Sequence, residues 1–243
     1  MHWLQRLLPV GVLATSLAPA VEMLWRGKPT PLLSRVVPVD AGRSSPRVSV
    51  IVAVRNEEAA VRDALRSLLA QDYPELELIV VNDRSTDATV QVLAEVSADL
   101  RLHMVTHEAP RPGSAPGELA DTPRLRIVTV EALPPGWLGK PHALWLGAQQ
   151  ATGEWLLFTD ADVVFAPDCV RLAVSYASAA RLDHLTLGST NRARSFLVGA
   201  FVAYFSYLLV IFFRLYRVND PVASEGIGLG AFNLVRRSAY DAV

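Results

Sequence analysis

Val48 to Thr89 reads VSVIVAVRNEEAAVRDALRSLLAQDYPELELIVVNDRSTDAT, and the change of period along it decides the fold. Val48 to Val54 is a continuous, largely β-branched run bounded by polar residues, the pattern of a strand buried on both faces. Asn56 is placed to cap a helix opening with Glu57 and Glu58, acids that suit its N-terminal dipole. Val61, Leu65, Leu68 and Leu69 then recur at helical spacing, with Arg62, Asp63 and Arg66 outside, until Tyr73-Pro74 stops the pattern. Leu76 to Val81 is a second strand ending at Asn82-Asp83, and RSTDAT opens a helix carrying Val90, Leu93 and Val96. Strand, helix, strand, helix is a right-handed parallel unit, and such sheets work at the carboxyl ends of their strands.

The pattern continues outward from that unit. Leu100 to Val105 suggests a third strand, residues 107–124 a Pro/Gly-rich exposed loop, and Leu125 to Val130 a further strand. A short helix over Pro141 to Ala151 follows a Gly-Trp-Leu-Gly-Lys turn, with Gly153 closing it. Glu154 to Val164, EWLLFTDADVV, is an apolar strand that carries Asp160 and Asp162 to its end. Val170 to Ala180 reads as a helix and Gly230 to Arg237, GAFNLVRR, as a late core strand. The expected architecture is α/β: a Rossmann-like, mostly parallel sheet flanked by helices.

Composition narrows the function. The chain has 243 residues, 51% hydrophobic and 19% charged, too apolar for disorder. A net charge of -1 gives no sign of a nucleic-acid partner. The single cysteine, Cys169, excludes an internal disulfide. Of 23 basic residues only Lys28 and Lys140 are lysines, so Lys140 reads as a position that wants a compact point charge.

Asp160 and Asp162, at i and i+2 around small Ala161, can share one side of an extended segment. Their repulsion is relieved by a hard divalent cation, which can also hold a diphosphate; the competing reading is an Asp-rich turn with Asp162 as a cap. Asp83 ends the second strand, where an acid can receive a hydroxyl or base N–H of a nucleotide, or serve only as a turn cap. Arg55 and Glu57 follow the first strand into the same crevice, Glu57 being alternatively a first-turn helix acid. Lys140 at a helix start makes an anion site, or is a solvated lysine, and GxxxxGK[ST] is absent because Pro141 occupies the hydroxyl position. His142 alone fits a packing or surface residue better than a ligand. His103 and His107 straddle a strand end and a loop, which argues against zinc. Gly226, Gly228 and Gly230 precede a strand, so they suit close backbone approach, to a sugar for example, better than a dinucleotide fingerprint.

Taken in order, VSVIVAVRNEEAAVRDALRSLLAQDYP, LELIVVNDRSTDAT, LPPGWLGKPHAL and GEWLLFTDADVVFAP resemble glycosyltransferase family 2, its processive-type and lipid-linked, membrane-associated bacterial members in particular. The resemblance runs firmly over Arg47 to Pro167 and loosely over Gly226 to Tyr240. It implies a GT-A fold, a nucleotide-sugar donor (usually UDP-linked), and Mg²⁺ or Mn²⁺. Carried onto matching positions, Asp83 binds the base, Lys140 lies near the phosphates, and Asp160 with Asp162 forms the metal motif. The implied reaction is inverting transfer to a lipid or lipid-like hydroxyl. The family's acidic base motif follows the strand matched by GAFNLVRRSAYDAV, and the sequence reaches Val243 without it, leaving Glu225 as a substitute. The other expectation is therefore a C-terminally truncated, catalytically silent nucleotide-sugar-binding module. A nucleotidyltransferase lacks support, since VAVRNEE stands where its Gly-rich signature belongs.

Two apolar stretches suggest a membrane. Leu7 to Trp25 is about long enough to span one, although Pro9, Pro19 and Glu22 interrupt it; a signal peptide and a docked surface helix are the other readings. Arg26, Lys28, Arg35, Arg43 and Arg47 follow it against Arg6 before it, which places the C-terminal side in the cytoplasm. Phe196 to Phe213 is uncharged and aromatic, fitting a helix in or against the membrane interface, or a buried core helix. The expected layout is an anchor over 1–27, a linker over 28–47 and a glycosyltransferase domain over 48–243. Its expected place is the cytoplasmic face of the inner membrane.

Overall fold

A computed structural model of the chain describes residues 21–25, 32–36, 45–99, 106–107, 125–189, 195–220, 222–223 and 226–243. The chain divides into two compact units, residues 32–188 with 229–243 and residues 1–31 with 189–228.

The first unit holds β1 (Val48–Val54), α1 (Val61–Leu69), β2 (Leu76–Asp83), α2 (Thr89–Asp99), β3 (Thr106–His107) and β4 (Leu125–Val130). It continues with α3 (Gly139–Gln150), β5 (Trp155–Asp160), α4 (Cys169–Ala179) and β6 (His184–Thr186). The strands form one sheet ordered β3-β4-β2-β1-β5, then β7 (Asn233–Arg236), then β6. β3, β4, β2, β1 and β5 pair in parallel, and β7 runs antiparallel to both β5 and β6. The expected α/β sheet with flanking helices is therefore present, with an antiparallel edge.

The alternation of side chains across the sheet sorts the core into two layers. Val48, Val50, Val52, Leu78, Val80 and Leu157 meet Val61, Leu65 and Leu68 of α1, Leu93 and Val96 of α2, and Val170 and Val174 of α4. Ile51, Ile79, Val81, Val128 and Leu156 face the other way, onto Ala143 and Leu146 of α3. A fully buried Val or Leu contributes about 1.5–3 kcal/mol, so these central strands anchor the unit. Gly147 lets α3 lie directly on β1, because a Cβ there would collide with Ile51 Cγ2.

At the amino ends of the strands, a buried carboxylate ties three segments. Glu77 Oε1 accepts from Ser49 Oγ, from Thr152 N at 2.6 Å and from Thr152 Oγ1 at 2.9 Å. Arg236 lies 4.4 Å above the Trp155 ring and bonds Glu154 at 2.8 Å, which fixes β7 on β5.

Several boundaries differ from the sequence reading. α1 begins at Val61, since Glu57 C=O spends itself on the N–H groups of Ala60 and Val61 in a preceding turn. α3 begins at Gly139, which puts Lys140 inside its first turn. The late strand shortens to Asn233–Arg236, and the three-residue β6 beside it carries too little pattern to be read in advance. The expected strand over 100–105 and most of the loop over 107–124 lie outside the described residues; the two-residue β3 pairs with β4 next to them.

In the second unit, α5 (Phe196–Phe212) is capped by Ser195, whose side chain accepts from Val198 N, and none of its residues is buried. Its 17 residues extend about 26 Å. Glu22 accepts from the Tyr216 hydroxyl and from Arg214, and these bonds, the Tyr216 one foremost, hold its carboxyl below the usual range. Among the described residues no helix is long and apolar enough to cross a membrane. Of Leu7 to Trp25 only residues 21–25 are described, and they are helical; most of the 28–47 stretch also lies outside.

Candidate active site

β1 is flanked by β2 and β5, and its last residues are level with theirs: Val54 pairs with Asn82 and Ala53 with Asp160. The chain leaves β1 through α1 on one face and reaches β5 through α3 on the other, so the carboxyl end of β1 is a switch point where a crevice opens.

Asp83 ends β2 with only 3% of its surface exposed. Arg84 grips its carboxylate with both Nε–Oδ1 at 2.7 Å and Nη2–Oδ2 at 3.1 Å, which raises the guanidinium further above its usual range. Gly139 closes over this pair. A Cβ at that position would stand 2.5 Å from Asp83 Oδ2, 3.2 Å from Arg84 Nη2 and 3.7 Å from Arg55 Nη1. The side-chain ends of Arg55, Asp83 and Arg84 thus converge around Gly139. Each carboxylate oxygen retains acceptor capacity beyond the Arg84 bond, enough for an N–H or O–H of a ligand.

The loops after β1 and β2 are stitched together. Thr86 N donates to Asn56 Oδ1 at 2.8 Å, Glu57 N to Thr89 Oγ1 at 2.9 Å, and Ala88 N to Glu58 Oε2 at 2.8 Å. Asn56 therefore caps the neighbouring loop rather than α1, and does so from a left-handed backbone at φ 55. Glu57 contributes its backbone to this seam. The cap for α2 is Asp87, which accepts from Thr89 N and has its carboxyl held below the usual range by Thr89. The turn-cap alternative for Asp83 is replaced by the Arg84 pair.

Asp160, the last residue of β5, forms an ion pair through Oδ1 with Lys140 from the first turn of α3. Its Oδ2 lies against Gly230, where a Cβ would be 2.6 Å away. Of the three glycines singled out in the sequence, Gly230 makes a close approach, and it is to Asp160; Gly226 faces open space. Asp162 is exposed just past buried Ala161. The acid loop is held firmly: Phe165 N donates to Ser67 Oγ at 3.0 Å, Gln71 Nε2 to Ala166 C=O at 2.8 Å, and Val170 N to Gln71 Oε1 at 3.0 Å. Thr159 Oγ1 donates to Ala231 C=O at 2.8 Å, and the Phe165 and Phe232 rings sit 5.7 Å apart.

Asp160 and Asp162 supply two hard oxygen donors, and no group of three His, Cys, Asp or Glu converges among the described residues. That set fits Mg²⁺ or Mn²⁺, which keep water and phosphate in most coordination positions. Glu225 lies outside the described residues. The sequence reading missed Gln71, whose side chain brackets the acid loop, and Gly139, whose only signal was its place before Lys140. His142 is packed as expected, 5% exposed with Trp137 and Trp145 rings 5.3 and 6.1 Å away.

Comparison with known proteins agrees with this geometry. A family model described as glycosyl transferase family 2 matches residues 49–116 and 118–243. A poly-beta-1,6-N-acetyl-D-glucosamine synthase of Staphylococcus epidermidis is 30% identical over 121 residues, 50% of this chain and 23% of that protein. A 4,4'-diaponeurosporenoate glycosyltransferase of Staphylococcus aureus (strain USA300) is 24% identical over 195 residues, 79% of this chain and 44% of that one. The chain thus spans less than half the length of these curated relatives. The solved mannosyltransferase PcManGT from Pyrobaculum calidifontis, in complex with GDP-Man and Mn²⁺, superposes with TM-score 0.62 at 23% identity. That likeness covers 96% of this chain and 56% of the other, and it shows a shared fold, as the GT-A expectation required. With a family model that matches residues 49–116 and 118–243, most of its length, the chain belongs to glycosyl transferase family 2.

Proposed function

We propose that this chain transfers a sugar from a nucleotide-sugar donor, UDP-linked, to the hydroxyl of a lipid or lipid-like acceptor, with inversion and with Mg²⁺ or Mn²⁺. One observation carries the reading: the consecutive pair Gly139-Lys140 packs on Asp83 with its first residue and pairs with Asp160 through its second. Two acids on separate strands, Asp83 and Asp160, are thereby linked through adjacent residues at the start of α3. Asp83, with Arg55 beside it, receives the base end. Lys140 and the free N–H groups opening α3 receive the phosphates. Asp160 and Asp162 hold the cation, which when bound offsets charge developing on the leaving diphosphate. An acceptor hydroxyl then attacks the anomeric carbon once a carboxylate base takes its proton, and Glu225 is the candidate the sequence offers. The mannosyltransferase that shares this fold was solved with the nucleotide sugar GDP-Man, which supports a donor of that class.

The membrane location and lipid acceptor rest on α5 and the Leu7 to Trp25 stretch. Phe196, Leu197, Phe201, Tyr204 and Phe212 are all more than 60% exposed, an apolar display that suits an interfacial helix. Arg and Lys after the first stretch favour the cytoplasmic face. Calorimetry with UDP and Mn²⁺ tests the donor site: saturable binding by the wild type that Asp162→Ala abolishes supports it, and no binding sinks it. Carbonate-washed membranes test the location; a protein released entirely into the soluble fraction contradicts it.

A further inference from the structure

We infer that Lys140 is an exchangeable counter-ion: it neutralises Asp160 in the ligand-free chain and transfers to the donor diphosphate when the nucleotide binds. This rests on the donor-site reading above and adds an order to it. Three observations converge. Lys140 Nζ pairs with Asp160 Oδ1, one of the two carboxylates proposed for the cation. The other oxygen, Oδ2, faces the Gly230 backbone and the Asp160 side chain is only 33% exposed, so the lysine takes part of the open side that a cation would use. The Lys140 side chain is 55% exposed on a flexible four-carbon stem, free to swing without breaking any core contact. An ammonium already seated on Asp160 competes directly with a second cation for the same oxygen.

Two consequences have opposite signs. Removing the lysine's charge frees Asp160, so the ligand-free chain binds a cation more tightly. The same change takes a positive charge from the phosphate site, so the nucleotide binds more weakly. A lysine that merely decorates the surface produces neither, and one that simply binds phosphate produces only the second. Reciprocity adds a third consequence: UDP draws Lys140 off Asp160 and strengthens Mn²⁺ binding, and the variant loses part of that coupling.

The experiment titrates Mn²⁺ into the full chain, reading free Mn²⁺ by electron paramagnetic resonance, with and without UDP. Wild type is compared with Lys140→Met, and with Lys140→Gln as a second neutral variant. Without UDP both variants should bind Mn²⁺ about two- to fivefold more tightly, the worth of an exposed ion pair. Their affinity for UDP should fall at least about fivefold, and the mutual enhancement of UDP and Mn²⁺ should shrink. Lys140→Arg, which keeps the charge, should stay near wild type without UDP. If wild type binds Mn²⁺ with UDP while both neutral variants bind Mn²⁺ alone no more tightly than wild type, the exchange is overturned and the donor site stands. If wild type binds no Mn²⁺ even with UDP, the donor-site reading fails, and the exchange with it.

Discussion

The backbone of Gly230 lies so close to the Asp160 carboxylate that a Cβ there would stand 2.6 Å from Oδ2. Only glycine leaves that carboxylate its present place. The atom in the way is the end of a side chain, so the fold can yield by moving Asp160. Gly230→Ala should therefore keep its unfolding midpoint within a few degrees of wild type. Its affinity for UDP with Mn²⁺ should fall about tenfold or more, since a displaced ligand group loses its orientation. Calorimetry beside a thermal melt separates the two effects.

Two other glycines make a contrast. Gly139→Ala drives a Cβ to 2.5 Å from Asp83 Oδ2, a buried carboxylate already gripped by Arg84. UDP binding should suffer more than stability. Gly147→Ala pushes instead into Ile51 and Val81 beneath α3. It should cost about 1–3 kcal/mol by overpacking and leave UDP affinity per folded molecule unchanged. Denaturant titration and UDP binding on both variants check the split.

Much of this was legible in the sequence, for identifiable reasons. β1, β2 and β5 are buried on both faces, so their continuous apolar runs announced them, and the acids at their ends followed from the parallel unit. What escaped were features set by contacts distant in sequence. Asn56 looked like a helix cap because it precedes acids, yet its oxygen serves Thr86, 30 residues on. β6 has three residues and no buried face of its own, and its existence depends on pairing with β7. The Lys140–Asp160 pair was invisible because Lys140 and Asp160 reach each other only once α3 crosses the sheet.

Glu77 is a structural acid far from the crevice. Replacing it with alanine strands the Ser49 hydroxyl and the Thr152 N–H and should cost at least about 3 kcal/mol, at about 1.5–3 kcal/mol for each bond to a charged group. Unfolding in urea should show the loss, with UDP affinity unaffected under native conditions.

Burial, reinforced by the Asp168 charge, pushes the Cys169 thiol up to about 11. The folded state thus holds this proton more tightly than the unfolded chain, whose thiol titrates near 9.0. Its contribution to stability is complete below pH 9 and is lost as pH rises through 11. Cys169→Ala should flatten the alkaline fall in stability between those values. At pH 8 a thiol reagent should label native wild type slowly and the urea-unfolded chain rapidly.

The central claim is that Asp83 and Asp160, joined through Gly139-Lys140, hold the two ends of one nucleoside diphosphate. Calorimetry of uridine, UDP and pyrophosphate with Mn²⁺ tests it on wild type, Asp83→Ala and Asp160→Asn. Asp83→Ala should weaken uridine and UDP while sparing pyrophosphate. Asp160→Asn should weaken UDP and pyrophosphate while sparing uridine. Loss of the same ligands by the same factor in both variants, or no binding of UDP to wild type, would contradict the claim.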